Sequence, residues 1–191
     1  MKLKLFLILL FLGFQTLFSQ EKFEKEYRIK ENHAPKKATQ IIKMWNFPKK
    51  IKWYAEESNL GKTFEAKTCF RKNKYSIEFS KNGTILDVEK TVKLKELPLE
   101  TQQKITRALK NRFRKYRLKK IQIQYLGSES AIYKEIFQLK PQKQKPIRNY
   151  EIVVKGKTDK TYQSFEILLN TKGAIEKELK IKSGLSLNLE F

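Results

Sequence analysis

The chain carries few of the residues on which most catalytic and metal sites depend. Its 191 residues hold one histidine, one cysteine and two aspartates. A single cysteine, Cys69, cannot form an internal disulfide. A histidine-based triad needs a nucleophile and an orienting acid around the imidazole, and His33 has only Glu31 and Asn32 beside it in a polar stretch. Metal sites need clusters of His, Cys or carboxylate. The one adjacent acidic pair of note, Glu56-Glu57, would point to opposite faces of a strand. The seven glycines are scattered, so no phosphate-cradling loop is written here. No catalytic residue, metal ligand or cofactor-binding residue is expected.

A long apolar run is also missing. A membrane-spanning helix needs about 20 apolar residues, and the longest stretch here is Leu5 to Phe14. It follows a basic start, Met1-Lys-Leu-Lys4, and is followed by small Ser19. Positive start, apolar stretch and small residue in that order describe a secretory signal peptide. Residues 1–19 are therefore set apart from the fold, and a mature chain starting near Gln20 is expected in the periplasm or medium, with no membrane span after cleavage.

What the chain has in excess is positive charge. Lysine and arginine number 42 against 20 acids, for a formal charge of +22. Removing the signal leaves about +20 on about 172 residues, enough to bury a core without disulfides. With 40% hydrophobic and 12% aromatic residues the chain is globular in composition. Its field attracts anions. For an exported protein the expected partner is an envelope protein or an acidic surface, not nucleic acid.

Along the chain, residues 20–33 form a charged lead-in carrying Phe23, Tyr27 and Ile29. Ala34-Pro35 opens a helix with Ala38, Ile41, Ile42 and Trp45 at helical spacing, and Pro48 stops it. The period then becomes two. Ile51, Trp53 and Ala55 alternate with charged residues, and Asn59-Leu-Gly61 reads as a turn. Phe64, Ala66, Thr68 and Phe70 share the next phase, which turns Cys69 to the opposite side with Glu65 and Lys67. Tyr75, Ile77 and Phe79 follow, then Asn82-Gly83, a hairpin signal because both residues tolerate positive φ. Ile85 to Val92 completes a four-stranded meander.

The pattern then repeats. Leu97-Pro98 opens a second helix with Ile105, Ala108, Leu109 and Phe113 on one face. Strands are expected at Leu118–Tyr125, Tyr150–Val154, Tyr162–Leu169 and Ala174–Ile181, with a turn at Asn170–Gly173. Residues 128–149 are an insertion with a short helix marked by Ile132, Ile136 and Leu139. Phe64-Glu65-Ala66 matches Tyr150-Glu151-Ile152, and Ile77 through Gly83 to Ile85 matches Ile167 through Gly173 to Ile175. Such self-similarity implies a duplicated supersecondary unit. The predicted fold is α+β: tandem helix-plus-four-stranded antiparallel meander repeats forming one long sheet with helices on one face. The organisation is a signal peptide (1–19), a lead-in (20–33), a first repeat (34–93), a second repeat (94–182) and a strand-like tail (183–191). The other sheet face would be partly solvated and free to bind.

These residues resemble a family. Lys52-Trp53-Tyr54, Phe64-Glu65-Ala66, Tyr75-Ser-Ile-Glu-Phe79 with Asn82-Gly83, the Leu97-Pro98 helix, Tyr116-Arg-Leu-Lys-Lys-Ile121, and Tyr150-Glu151 with Gly173 carry the likeness, over roughly residues 34–182. They resemble the PepSY-like, β-lactamase-inhibitor-protein-like proteins exported by Bacteroidetes-type bacteria. The resemblance implies tandem repeats in a periplasmic or secreted setting. Relatives by fold inhibit enzymes by laying a concave sheet over them. It implies a non-enzymatic binding module, an inhibitor or chaperone of an envelope protein, and supplies no inhibitory residues to carry over.

The alternative is a binder of surface anions, lipid headgroups or acidic glycans. Its candidate residues lie on the second helix and its exit: Lys104, Arg107, Lys110, Arg114 and Arg117. The last residues alternate from Leu185 to Phe191, as in the last strand of an outer-membrane barrel. The lysine-rich helices that interrupt the strands argue against a barrel. Ligand identity and oligomeric state are not written in the sequence.

Overall fold

The computed structural model describes residues 20–22, 24–58, 61–140, 144–158 and 161–181. The signal-like segment, the Asn59-Leu60 part of the first turn and the C-terminal tail lie outside them. The fold is α+β: a long antiparallel sheet with three α-helices among the described residues.

Strand β1 (Gln20–Lys22) and β2 (Glu24–Ile29) take up the charged lead-in. Helix α1 (Lys36–Trp45) precedes a meander of β3 (Lys52–Ser58), β4 (Gly61–Phe70), β5 (Asn73–Phe79) and β6 (Ile85–Val92). Helix α2 (Leu99–Arg112) precedes β7 (Tyr116–Leu126). Helix α3 (Glu129–Phe137) falls inside the segment read as an insertion, before β8 (Ile147–Thr158), β9 (Thr161–Asn170) and β10 (Ile175–Ile181).

The two longer helices start alike. A short 3-10 turn, Glu31–His33 or Leu94–Glu96, is followed by a buried residue, Ala34 or Leu97, and then by a proline at the helix start. Proline suits that place because its fixed φ is preorganised for the helix and its missing N–H is not needed there. Helix α1 stops at Asn46, left-handed with φ 49° and donating its N–H to Ile42 and Lys43 carbonyls. Helix α2 stops where Phe113 turns extended and buries its ring.

The hairpins are also alike. Gly83 N–H donates to Ser80 O and Ser80 N–H to Thr84 O, while Gly173 N–H donates to Asn170 O and Asn170 N–H to Ala174 O. Only the glycine of each turn has positive φ, 78° and 83°. This differs from the two-residue Asn-Gly turn expected from sequence, in which both residues would be left-handed. The turn starts two residues earlier, in the longer form that ends in a left-handed glycine. A Cβ on Gly83 would lie 2.8 Å from Ala38 N on α1, and one on Gly173 would lie 3.0 Å from Lys104 Cβ on α2. Each glycine therefore lets its hairpin sit against the helix of its own half.

Two apolar clusters form the core. One joins Ala38, Ile41, Ile42 and Trp45 of α1 and Ile132 and Ile136 of α3 to Trp53, Ala66, Ile77, Phe79 and Val88. The other joins Ile105, Ala108 and Leu109 of α2 to Ile121, Ile152, Val154, Phe165, Ile167 and Leu169. Trp53 and Phe79 stack with ring centroids 6.0 Å apart. The insertion thus completes the first cluster, although it lies between strands of the second half. Of its apolar residues, Leu139 falls past the left-handed cap Gln138 and stays exposed.

The sheet order is β1-β10-β9-β8-β7-β6-β5-β4-β3-β2. Nine strands, β2 to β10, pair antiparallel in sequence, and β1 pairs parallel with β10. One residue separates β1 from β2, yet they stand at opposite ends of this order. Lys22 lies opposite Ile181 and Glu24 opposite Ser58. Two Cα steps span at most about 7 Å, so the two ends of the sheet meet and the sheet closes on itself. The charged lead-in supplies the joining strand. The sheet face opposite the apolar clusters is curled inward but partly solvated: Lys67, Ser76, Gln122 and Asn149 are buried on it, and its carboxylates are half-buried.

Candidate functional site

Alternation along each strand sends every second side chain away from the apolar clusters. Following the register from strand to strand gives one set of positions on this inward-curled face. It holds Glu26 on β2, Glu56 on β3, Glu65 on β4, Glu78 on β5, Asp87 and Glu89 on β6, Glu151 on β8 and Glu166 on β9. The same face also carries Arg28, Lys52, Lys67, Lys74, Lys120 and Lys155, so acids and cations are mixed on it.

A polar network spans this face. Lys67, only 5% exposed, sits between Glu26 at 2.9 Å and Glu65 at 3.0 Å, with its ammonium 4.7 Å from the Tyr54 ring centre. Ser76 donates to Glu65. Gln124 donates to Asp87 at 2.8 Å and accepts from Asn149 at 3.3 Å. Gln122 donates to Glu89 at 2.6 Å. Burial pushes Glu65 up to about 7 against the downward pull of the Lys67 charge. Burial and the nearby Glu78 charge push Asp87 to about 7 as well. Glu89 is raised well above the usual range by burial first and by the Glu151 and Asp87 charges next. These groups hold protons at pH values where an ordinary carboxylate has lost them.

Three buried side-chain atoms have no hydrogen-bond partner among the described residues: Trp53 Nε1, Thr91 Oγ1 and Gln122 Oε1. The indole lies in the first apolar cluster. The other two belong to residues directly opposite each other on β6 and β7, on the inward-curled face.

The structure separates the sequence-derived candidates: Lys104, Arg107 and Lys110 lie on α2, Arg114 follows it, and Arg117 is an exposed residue of the opposite sheet face. Arg107 and Lys110 are exposed and flank a shallow surface depression of about 450 Å³ along α2, with Leu99, Gln103 and Thr106. Arg114 falls in the turn after α2, and Arg117 is on β7 opposite Lys155, on the sheet side away from α2. Neither these four nor their heads make an ion pair among the described residues. Lys104 is committed to Glu100 at 2.7 Å and to the Thr171 carbonyl at 3.1 Å. Arg112 holds Glu178 through two hydrogen bonds, at 2.6 and 2.7 Å. Arg107 and Lys110 are thus the pair that the fold brings together.

His33 and Cys69 are both exposed. No group of three or more His, Cys, Asp or Glu is placed to hold a metal among the described residues, and no described helix is long and apolar enough to cross a membrane. The half-buried carboxylates were missed from sequence. Their signal was present in Glu65, Glu78, Asp87, Glu89 and Glu151, all in phase on neighbouring strands, but acids alternating with apolar residues also describe an ordinary solvated face.

No protein-family model and no curated protein sequence matches the chain. Among solved structures, a DUF2874 family protein from Bacteroides ovatus is similar in fold, with a TM-score of 0.53 at 11% identity over 82% of this chain and 94% of that one. At that identity the likeness is one of fold.

Proposed function

We propose that this is an exported, non-enzymatic binding module whose outer surface recognises anions, as lipid headgroups or acidic glycans, through Arg107 and Lys110 on α2. The observation that carries this reading is the exposed pair Arg107 and Lys110, which flank one depression on α2 and make no ion pair among the described residues, in a chain with a formal charge of +22. A field of one sign draws in polyanions, and exposed cations without local partners add to it at little desolvation cost. Binding to an envelope protein as inhibitor or chaperone is the second reading. It rests on the sheet face opposite the apolar clusters, where half-buried carboxylates and polar groups remain partly solvated.

The two halves also read as copies of one helix-plus-four-strand unit. The shared 3-10 turn, proline and helix start, and the shared glycine hairpin against each helix, support that reading. So does the corresponding placement of Glu65 on β4 and Glu151 on β8. The basic, apolar and small-residue order of residues 1–19 supports export to the periplasm or medium.

Vesicle co-sedimentation tests the anion reading. Binding to vesicles with a large phosphatidylglycerol fraction should exceed binding to zwitterionic vesicles and fall steeply between low and physiological salt. A flat salt response, or no binding at low salt, removes it. Arg107→Gln with Lys110→Gln should weaken binding without moving the unfolding midpoint.

A further inference from the structure

The closed sheet has one open seam. β1 pairs with β10 over three positions, Gln20 opposite Leu179, Glu21 opposite Lys180 and Lys22 opposite Ile181. β2 continues the same run of chain and pairs with β3 on one side. Among the described residues no strand pairs with its other edge, so alternate N–H and C=O groups there face outward. An unpaired edge is a template for another strand. β10 ends at Ile181, at the start of that edge, and ten residues follow it to Phe191. Phase points the same way. Leu179 lies opposite Glu166 and Ile181 opposite Ser164, which puts both on the inward-curled face. Leu179 and Val153 are buried on that face but belong to neither apolar cluster, and the three described α-helices pack on the other face. Alternation carries this phase on to Leu185, Leu187, Leu189 and Phe191, and leaves polar Ser186, Asn188 and Glu190 for the other face.

We infer that the unpaired edge of β2 is the docking site of the chain's own C-terminal tail, with residues 183–188 running parallel to Glu24–Ile29. The β1–β10 register, carried on past residue 22, sets Ser183 opposite Glu24, Leu185 opposite Glu26 and Leu187 opposite Arg28. The leucines then continue the apolar line of Leu179 and Ile181 and shield the ion pair of Glu26 with Lys67 from water. Leucine burial and the added ladder bonds both favour this closure. The tail also covers the edge that would otherwise invite pairing between chains.

The seam is independent of the outer anion surface, and so is its test. In hydrogen exchange of the full chain, alternate amides across residues 183–188 should exchange at least about tenfold more slowly than in a free peptide of that sequence. Ending the chain at Lys182 should speed alternate amides of Glu24–Ile29 by about the same factor and leave those of β5 and β6 unchanged. Cross-linking tests the register. Facing Cα atoms on neighbouring strands are about 4.8 Å apart, within the roughly 4.4–6.8 Å that a disulfide spans. In a Cys69→Ser background, Arg28→Cys with Leu187→Cys should oxidise within one chain. It should do so at least about tenfold faster than Arg28→Cys with Ser186→Cys, whose side chains point to opposite faces. Tail amides exchanging at the free-peptide rate, β2 amides unmoved by the shortening, no disulfide from the first pair in folded protein, or equal oxidation of the two pairs would each overturn the assignment. A disulfide that forms only between two chains would overturn it too, and would make a second copy the occupant of the edge.

Discussion

The two faces of the sheet follow opposite rules. On one, Trp53, Ile77, Phe79, Ile152 and Ile167 pack under helices, and almost every buried atom is apolar. On the other, Lys67, Ser76, Gln122 and Asn149 are as well hidden from solvent, with no helix described over them and with carboxylates beside them. The first face gains from leaving water. The second is half-buried at a desolvation cost that hydrogen bonds, a buried ammonium and retained protons offset only in part. Stability should therefore come from the apolar face, and sensitivity to pH from the polar one.

The largest test removes the apolar anchor. Trp53→Ala should cost roughly 3–5 kcal/mol, the range for deleting a large aromatic side chain from a core, read from urea unfolding. An unchanged midpoint would mean that the apolar face is not what holds the sheet together.

Next is the buried cation. Lys67→Met leaves Glu26 and Glu65 without their shared ammonium, and breaking such a buried pair costs about 3 kcal/mol or more. The loss should be greater at pH 8 than at pH 5, because Glu65, raised to about 7, is protonated at the lower pH and leaves less unpaired charge. Equal losses at both pH values would place that carboxyl in an ordinary, hydrated environment.

The parent chain should itself lose stability as pH rises. Glu65 and Asp87 each titrate near 7 in the fold, against ordinary values of 4.5 and 3.8. A carboxyl raised by folding binds its proton more tightly in the native state. Its contribution is therefore complete below the ordinary value and is lost as pH rises through about 7, by roughly 3–4 kcal/mol for a group moved that far. Glu89 adds a change of the same sign. The melting temperature should be higher at pH 5 than at pH 8, and Glu65→Gln with Asp87→Asn should flatten the slope. A melting temperature that rises instead would show that the polar face is hydrated.

A smaller effect tests the likeness between the halves. Gly83→Ala and Gly173→Ala both force a side chain into positive φ and toward a helix. Each should cost about 1–2 kcal/mol. Gly83→Ala should cost more, since its Cβ meets the Ala38 backbone at 2.8 Å, whereas Gly173 meets the movable side chain of Lys104. The smallest expected effect is outside: Lys110→Gln should shift stability by less than about 0.5 kcal/mol.

Period and punctuation determined a good deal of this molecule. Ala38, Ile41, Ile42 and Trp45 define α1 by spacing alone, and Pro35 and Pro98 mark where helices begin. The phase of Phe64, Ala66 and Phe70 places Cys69, Lys67 and Glu65 together on the other side. Closure was decided only by the tertiary structure. Alternation with period two identifies two faces of a strand, but it cannot say whether the polar one meets water or other strands. That depends on twist and coiling accumulated over nine strands, until residue 22 finds residue 181 across the chain. The same glutamates would be solvated and unremarkable in an open sheet. In the curled one they come beside Lys67, Ser76, Gln122 and Gln124, whose hydrogen bonds meet Glu26, Glu65, Glu89 and Asp87.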